Sequence, residues 1–142
     1  MTLQTLLLTL LLSTSLINTS YADIEDGYYA SNHRNYQNTI KEWRSSADQG
    51  DSEAQYNLGW MYDKGDGVLK DYKQAVKWYQ KATDQGYADA QYNLGAMYID
   101  GTGVLKDMTK AKYWIKKADE GDNAETSKLA KEIWDRFELW KY

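Results

Sequence analysis

Few residues of this sequence have the side chains and spacing that catalysis or metal binding requires. There is a single histidine, His33, and no cysteine. A thiolate nucleophile, a thiolate metal site and a disulfide framework are therefore excluded. Neither a nucleophile motif nor a metal-spaced companion accompanies His33. We interpret His33 as an ordinary surface residue, and we expect no catalytic, cofactor-binding or metal-binding residues.

Two short glycine-rich segments are the other candidates for chemistry. They read GDG at 65–67 and GTG at 101–103. Each follows a helical pattern rather than a strand, and neither lies in a Gly-Lys-Ser/Thr or GxGxxG context, which argues against a phosphate loop. The acidic residues around Asp63 lack the regularly spaced oxygen ligands and the final glutamate of a calcium-binding loop. The pattern favours glycines that end helices.

The composition predicts an ordered, helical chain. Of the 142 residues 14% are aromatic, including 13 tyrosines, and 27% are charged. Aromatic content of this order supplies the apolar area that a folded core needs. The absence of proline suits uninterrupted helices. The net charge of −4 gives no indication of a basic surface that would bind nucleic acid.

The chain contains an internal duplication at an offset of 36 residues. Residues 54–82 and 90–118 are identical at 18 of 29 positions. Within the first copy, apolar and small residues recur at helical spacing. One stripe consists of Ala54, Leu58, Met61 and Tyr62, and the next of Ala75, Trp78, Tyr79 and Ala82. Each copy is therefore predicted to contain two helices.

The residues between the two stripes predict how the helices are joined. The glycines of GDG and GTG end the first helix, and Asp71 and Asp107 stand at the N-cap of the second. The mid-helix glycines, Gly59 and Gly95, indicate close contact with a neighbouring helix. We expect Ala75 and Ala82 to form the matching flat surface, with Tyr79 beside them. Because one such hairpin cannot bury both of its faces, the copies are predicted to stack.

The duplicated pattern AQYNLGxMYxxGxGVLKDxxxAxxW resembles the Sel-1-like repeat family, a relative of the tetratricopeptide repeats. The resemblance implies an all-α fold, a short α-solenoid of antiparallel helical hairpins. Aligning the flanks divides the chain into a divergent hairpin at 23–50, repeats at 51–86 and 87–121, and a capping helix at 122–142. The capping helix spans about 123–140, and its Trp134, Phe137 and Trp140 either fold back on the core or stay available for contact.

The first 22 residues predict export. They carry no charged side chain, contain an apolar run at 6–12 and end in Ser20-Tyr21-Ala22, which resembles a signal-peptide cleavage site. We expect cleavage after Ala22, a periplasmic or secreted protein and no stable membrane span after cleavage. The apolar run is short for a bilayer span, and an uncleaved anchor or a buried helix is the alternative.

The resemblance also implies a binding groove, because first helices line the concave surface in tetratricopeptide architectures. Carried over by position, the groove residues are Glu53, Tyr56, Trp60, Asp63, Asp89, Tyr92, Ala96, Ile99, Ala124, Ser127, Lys131 and Trp134. This acidic and aromatic set suits a partner with basic and apolar residues. Trp60, which faces Ala96 in the alignment of the copies, is either an interaction anchor or the cover of a gap beside the first hairpin.

The predicted function is a non-enzymatic exported scaffold that binds a protein or peptide in its groove. Two alternatives stay open. One is a cell-envelope hydrolase, β-lactamase-like or acting on the cell wall, although the family members linked to β-lactams are cysteine-rich and this chain has no cysteine. The other is a structural adaptor that stacks on other repeat proteins. The partner and the oligomeric state are not predicted.

Overall fold

The structure, a computed structural model, describes residues 36–142. Contacts divide the chain into two units, 1–38 and 39–142, and the description below concerns the second together with residues 36–38, which begin its first helix. The predicted signal peptide at 1–22, His33 and the first helix of the predicted 23–50 hairpin lie outside the described residues.

The described part of the chain is all-helical, as predicted. A helix at 36–48, here α1, precedes five further α-helices and a 3₁₀ helix. They are α2 (Ser52–Lys64), α3 (Tyr72–Thr83), α4 (Ala88–Asp100), α5 (Met108–Asp119), α6 (Ala124–Arg136) and the 3₁₀ helix Leu139–Lys141. Helix α2 pairs with α3, α4 pairs with α5, and each following helix packs on the hairpin before it. The predicted α-solenoid of antiparallel hairpins is confirmed.

The predicted helix ends are confirmed at both repeats. Gly65 and Gly101 end α2 and α4 with φ angles of 80° and 75°, which is the left-handed conformation that glycine adopts without a steric penalty. At the start of α3, a carboxylate oxygen of Asp71 accepts hydrogen bonds from two backbone N–H groups. Asp107 caps α5 in the same way through the Lys110 N–H group.

The core consists of three adjacent clusters, one for each step of the stack. The first joins α1, α2 and Trp78 of α3, the second joins α3 and α4, and the third joins α5, α6 and the 3₁₀ helix. Both predicted stripes of the first copy lie in these clusters, with Leu58, Tyr79 and Ala82 fully buried. Burial of this continuous apolar seam is the main force that holds the hairpins together.

The mid-helix glycines do lie against a neighbouring helix, but their contact differs from the predicted one. A Cβ atom placed on Gly59 would lie 2.6 Å from Cδ1 of Tyr79, and one on Gly95 would lie 2.7 Å from Cδ1 of Ile115. The prediction that Ala75 and Ala82 form the matching surface is wrong. The glycines make room for the large side chain at position 79 or 115, not for a flat alanine surface.

The C-terminal segment is shorter and more folded than the predicted helix at about 123–140. Helix α6 ends at Arg136, and Glu138 has a φ of 49° that reverses the chain. The following 3₁₀ helix then buries Leu139 completely against Ile115 and Ala130. A leucine thus covers part of the surface that another helical hairpin would cover in a longer stack.

Candidate binding groove

Two clefts run along the flanks of α4 and share residues of that helix. The α2–α4 cleft has a volume of about 280 Å³ and also touches α3 and the loop after α4. The α4–α6 cleft has a volume of about 210 Å³. Ala96 and Asp100 line both clefts. The small side chain at position 96 therefore lies where the two clefts meet.

The two clefts draw on different helices for their walls. The other residues of the α2–α4 cleft are Asp63, Lys64, Tyr72, Tyr79, Asn93, Met97 and Thr102. The other residues of the α4–α6 cleft are Tyr92, Ile99, Leu129, Glu132, Ile133, Arg136 and Phe137.

A polar cluster lies at the wall of the α2–α4 cleft. Tyr79 is fully buried, and its hydroxyl has no hydrogen bond of normal geometry within the described residues. Burial raises the pKa of Tyr79 and also that of Tyr56. The Asn93 side chain faces both hydroxyls and opposes this effect of burial on their pKa values. Both phenols are therefore neutral donors at physiological pH, and the half-buried Asn93 amide is the polar group of this cluster that lines the cleft.

The charges in the clefts are mixed rather than uniformly acidic. Asp63 forms an ion pair with Lys64 at 2.8 Å, and this contact raises the pKa of Lys64. Asp100 and Glu132 form no ion pair in the described part of the chain, and neither does Arg136. These three groups are available to a bound partner.

A third cavity, of about 270 Å³, lies between α5 and α6. Beside it, the Ser127 hydroxyl donates to Oδ1 of Asp119 at 2.6 Å, and Lys131 Nζ lies 3.1 Å from the same oxygen. These contacts, the hydrogen bond first, lower the pKa of Asp119. Lys131 Nζ also donates to Ser127 Oγ at 3.2 Å.

This serine–lysine contact lacks the features of a catalytic pair. A lysine that serves as a general base must be neutral, which burial in an apolar site can achieve. The Lys131 side chain is instead 67% exposed and ion-paired. The network ties α5 to α6.

The structure brings some of the predicted groove residues together. Asp63 and Ala96 line the α2–α4 cleft, and Tyr92, Ala96 and Ile99 line the α4–α6 cleft. Ile99 is buried, so it forms the floor of its cleft. Lys131 and Trp134 line the separate α5–α6 cavity, and Ser127 lies beside it in the Asp119 network.

Other predicted groove residues hold helices in place. The Tyr56 ring stacks on Tyr87, with centroids 5.1 Å apart. The Asp89 carboxylate accepts hydrogen bonds from the side chains of Asn123 and Thr126, at the start of α6. The first contact joins α2 to the start of α4, and the second joins α4 to the start of α6.

The remaining predicted residues line none of these three cavities. Glu53 and Ala124 are exposed, and Trp60 is 39% exposed on α2. Whether Trp60 is a binding anchor or a packing residue stays an open prediction.

Sequence reasoning missed two groups of cleft residues. One is Asn93, which had a usable signal, because the same asparagine stands in both copies of the repeat, at 57 and 93. The other is the flank of α6 that faces α4, including Leu129, Ile133 and Arg136. No signal in the prediction separated that flank from the solvent-exposed surface.

Residues 36–142 contain neither a cluster of metal-ligating side chains nor a helix suited to span a membrane. No group of three or more His, Cys, Asp or Glu side chains there is arranged to hold a metal ion. None of the helices in that range has the length and apolar character needed to cross a bilayer.

The Sel1 repeat family model matches residues 52–87 and 88–121. The predicted repeat boundaries lie within one residue of these. No curated protein matches the sequence.

Solved structures give three informative similarities. A Sel1 repeat protein from Oxalobacter formigenes is 33% identical, with a TM-score of 0.61 over 68% of this chain and 40% of that one. A protective antigen of uropathogenic Escherichia coli with an SLR fold is 29% identical, with a TM-score of 0.62 over 79% of this chain and 27% of that one. The chain thus spans less than half the length of either.

The third similarity concerns the fold alone. Cysteine rich protein B of Helicobacter pylori is 24% identical, with a TM-score of 0.61 over 66% of this chain and 70% of that one. The cysteine-free chain therefore shares a helical arrangement with a protein named for its cysteines.

Proposed function

Because this chain is a Sel1-like repeat protein of the tetratricopeptide-like superfamily, we propose that it binds an extended protein segment in the two clefts along α4. Sel1 repeat proteins are generally protein-binding scaffolds. The observation that carries the proposal is the pair of clefts on the two flanks of α4, which share Ala96 and Asp100 as lining residues. The proposed role is that of a scaffold without catalytic activity.

The lining residues suggest the chemistry of the partner. Tyr92, Ile99 and Phe137 offer apolar contact, and Asn93 offers an amide that can pair with a peptide group. Asp100 and Glu132 lack ion partners within the described residues and would attract a basic side chain, and the equally unpaired Arg136 would attract an acidic group. We propose a partner segment with apolar anchors and at least one lysine or arginine.

Export is a separate part of the proposal, supported by the N-terminal sequence. The uncharged segment that ends at Ala22 has the apolar run and small-residue ending of a signal peptide. We propose a periplasmic or secreted protein that begins at Asp23. N-terminal sequencing of the protein recovered from the periplasm or medium should read DIEDG, and recovery of an intact Met1 terminus from membranes would contradict it.

The test of groove binding is to fill the junction of the two clefts. At the position equivalent to Ala96, α2 carries Trp60, which shows that a first helix of this repeat accommodates a tryptophan there. Ala96→Trp is therefore expected to fold and to block both clefts. Peptides selected from a random displayed library against the unmodified protein should lose at least about tenfold in affinity, the equivalent of one central interface contact.

The control places the same residue away from the clefts. Thr109 is exposed on α5 and lines neither cleft, so Thr109→Trp should leave peptide affinity unchanged. Circular dichroism should show the same helicity for both variants. If Ala96→Trp folds and binds the selected peptides as tightly as the unmodified protein, the clefts are not the binding site.

Trp60→Ala separates the two interpretations of Trp60. If Trp60 is a binding anchor, the substitution should lower peptide affinity and change the melting temperature little, because the core stays intact without it. A steep fall in the melting temperature would assign Trp60 to packing.

A further inference from the structure

Two leucines are almost completely exposed at the same position in both repeats. Leu69 is 92% exposed and Leu105 is 90% exposed, more than any other large hydrophobic residue within 36–142. The loops that carry them are well anchored, because the Asp71 N–H group donates to the Tyr62 carbonyl at 2.9 Å and the second loop repeats this bond. The repeat therefore holds an apolar side chain outward in each loop.

The second loop lies directly against the start of the preceding second helix. A Cβ atom on Gly103 would lie 2.5 Å from the backbone carbonyl oxygen of Tyr72, so this glycine permits backbone contact between the second loop and α3. Tyr72 is only three residues beyond Leu69. The two leucine loops therefore lie beside each other along one edge of the stack.

Lysines follow each exposed leucine. Helix α3 carries three lysines and no acidic residue, and α5 carries four lysines and only Asp119. Lys70 and Lys106 directly follow the two leucines. Of the acidic residues in the two loops, Asp71 and Asp107 cap the helices, and Asp66 lies in the first loop. On α5, Lys110 also pairs with Asp107, and Lys116 and Lys117 pair with Glu120. Although the whole chain has a net charge of −4, its positive charge is concentrated on these loops and second helices, here called the basic face.

We propose that the basic face docks on the surface of an anionic lipid bilayer, with Leu69 and Leu105 inserted among the lipids. Each lysine near an anionic surface adds attraction, and apolar side chains that enter the interfacial region add affinity. A protein partner would need a pocket for each leucine, since interface anchors are usually enclosed by surrounding residues. A bilayer accepts isolated protruding side chains without such pockets, and this favours lipid over an acidic protein.

The absence of cysteine allows a test at a single site in the full-length chain. An environment-sensitive fluorophore attached to Leu105→Cys should shift to the blue with vesicles of equal parts phosphatidylcholine and phosphatidylglycerol, and not with phosphatidylcholine alone. The same label at Lys128→Cys, exposed on α6 and outside the basic face, should not shift. Because the label reports only on its own surroundings, it also distinguishes contact of Leu105 with the bilayer from membrane binding by the apolar segment at 6–12.

Charge reversal provides the second arm of the test. Lys73→Glu with Lys77→Glu should weaken vesicle binding of the protein labelled at Leu105→Cys by at least about thirtyfold, because the attraction of two lysines is lost and two glutamates are repelled by the anionic surface. Lys128→Glu should change it little, and helicity should be the same in all variants. An equal shift on neutral vesicles, or an equal shift at position 128, would overturn the proposal. A shift with soluble polyglutamate but none with vesicles would also overturn it and assign the basic face to acidic macromolecules.

Discussion

At the scale of single residues, the interior of each repeat depends on one missing side chain in the first helix. Gly59 accommodates the Tyr79 ring, and Gly95 accommodates Ile115. Glycine inside a helix costs about 1 kcal/mol relative to alanine. Because both copies have glycine at this position, we infer that close packing of the two helices stabilises the protein by more than the lost helix propensity destabilises it.

The Gly95→Ala substitution should therefore destabilise the protein, although it improves helix propensity. The added Cβ would lie 2.7 Å from Cδ1 and 3.2 Å from the backbone nitrogen of Ile115, and α5 must move to relieve this overlap. Overpacking of a core costs about 1–3 kcal/mol. Urea unfolding should show a loss of free energy of unfolding in that range.

A double-mutant cycle identifies the overlap as the cause. Ile115→Ala removes the side-chain atoms nearest to position 95, so adding Gly95→Ala to it should cost less than adding Gly95→Ala to the unmodified protein. Additive losses, or a gain of stability from Gly95→Ala alone, would show that the two helices have room for the methyl group.

Residue types predicted only part of the candidate site. Asp63, Tyr92, Ala96 and Ile99 were found because the repeat fixes the phase of each first helix. The α6 flank was missed because every first helix in a stack has two flanks, one toward each neighbour, and the prediction assigned only one to each helix. Asn93 was missed because apolar periodicity gives no information about a polar residue beside the core stripe.

At the scale of helices and loops, the predictable features are those with local chemistry. Aspartate N-caps and left-handed glycines act within a few residues, so the starts of α3 and α5 and the ends of α2 and α4 followed from the sequence. The end of α6 did not, because no glycine marks it. Its reversal uses Glu138, and the burial of Leu139 is a tertiary contact that local patterns do not reveal.

The tie between α5 and α6 should make stability depend on acid pH. The hydrogen bond from Ser127 and the nearby Lys131 ammonium lower the pKa of Asp119 below its ordinary value of 3.8. A lowered pKa in the folded state stabilises the protein above pH 3.8, and this contribution is lost as the pH falls from there through the folded-state pKa. Because the Asp119 carboxylate is 36% exposed, we expect its contribution to the free energy of unfolding to be about 1 kcal/mol or less.

Asp119→Asn isolates this contribution from those of the other carboxylates. At neutral pH the variant should have a lower free energy of unfolding than the unmodified protein, and the difference should shrink as the pH falls below 3.8. Asp135→Asn is the matched control, since Asp135 lines the same cavity and forms no ion pair in the described structure. A difference that persists unchanged at low pH would rule out the ionised Asp119 as its source.

At the scale of the whole stack, stability comes from contacts between successive helices. Each core cluster joins helices that are close in sequence, so the free energy is approximately a sum over neighbours, as in other repeat proteins. Leu139 belongs to the third cluster and is fully buried there. Loss of this leucine should loosen the end of the stack before the centre.

Leu139→Ala tests this nearest-neighbour description. Removal of a buried leucine side chain costs about 2–5 kcal/mol, and here the loss falls on α6 and its contacts with Ile115 and Ala118. Hydrogen exchange should show faster exchange of the α6 amides, while the α2–α3 hairpin keeps most of its protection.

Trp140→Ala is the control, because the neighbouring Trp140 is 53% exposed and its loss should change stability by about 0.5 kcal/mol or less. Equal loss of protection in α2 and α6 would mean that residues 39–142 unfold as one cooperative unit, and the stack would then not be a sum of neighbouring contacts.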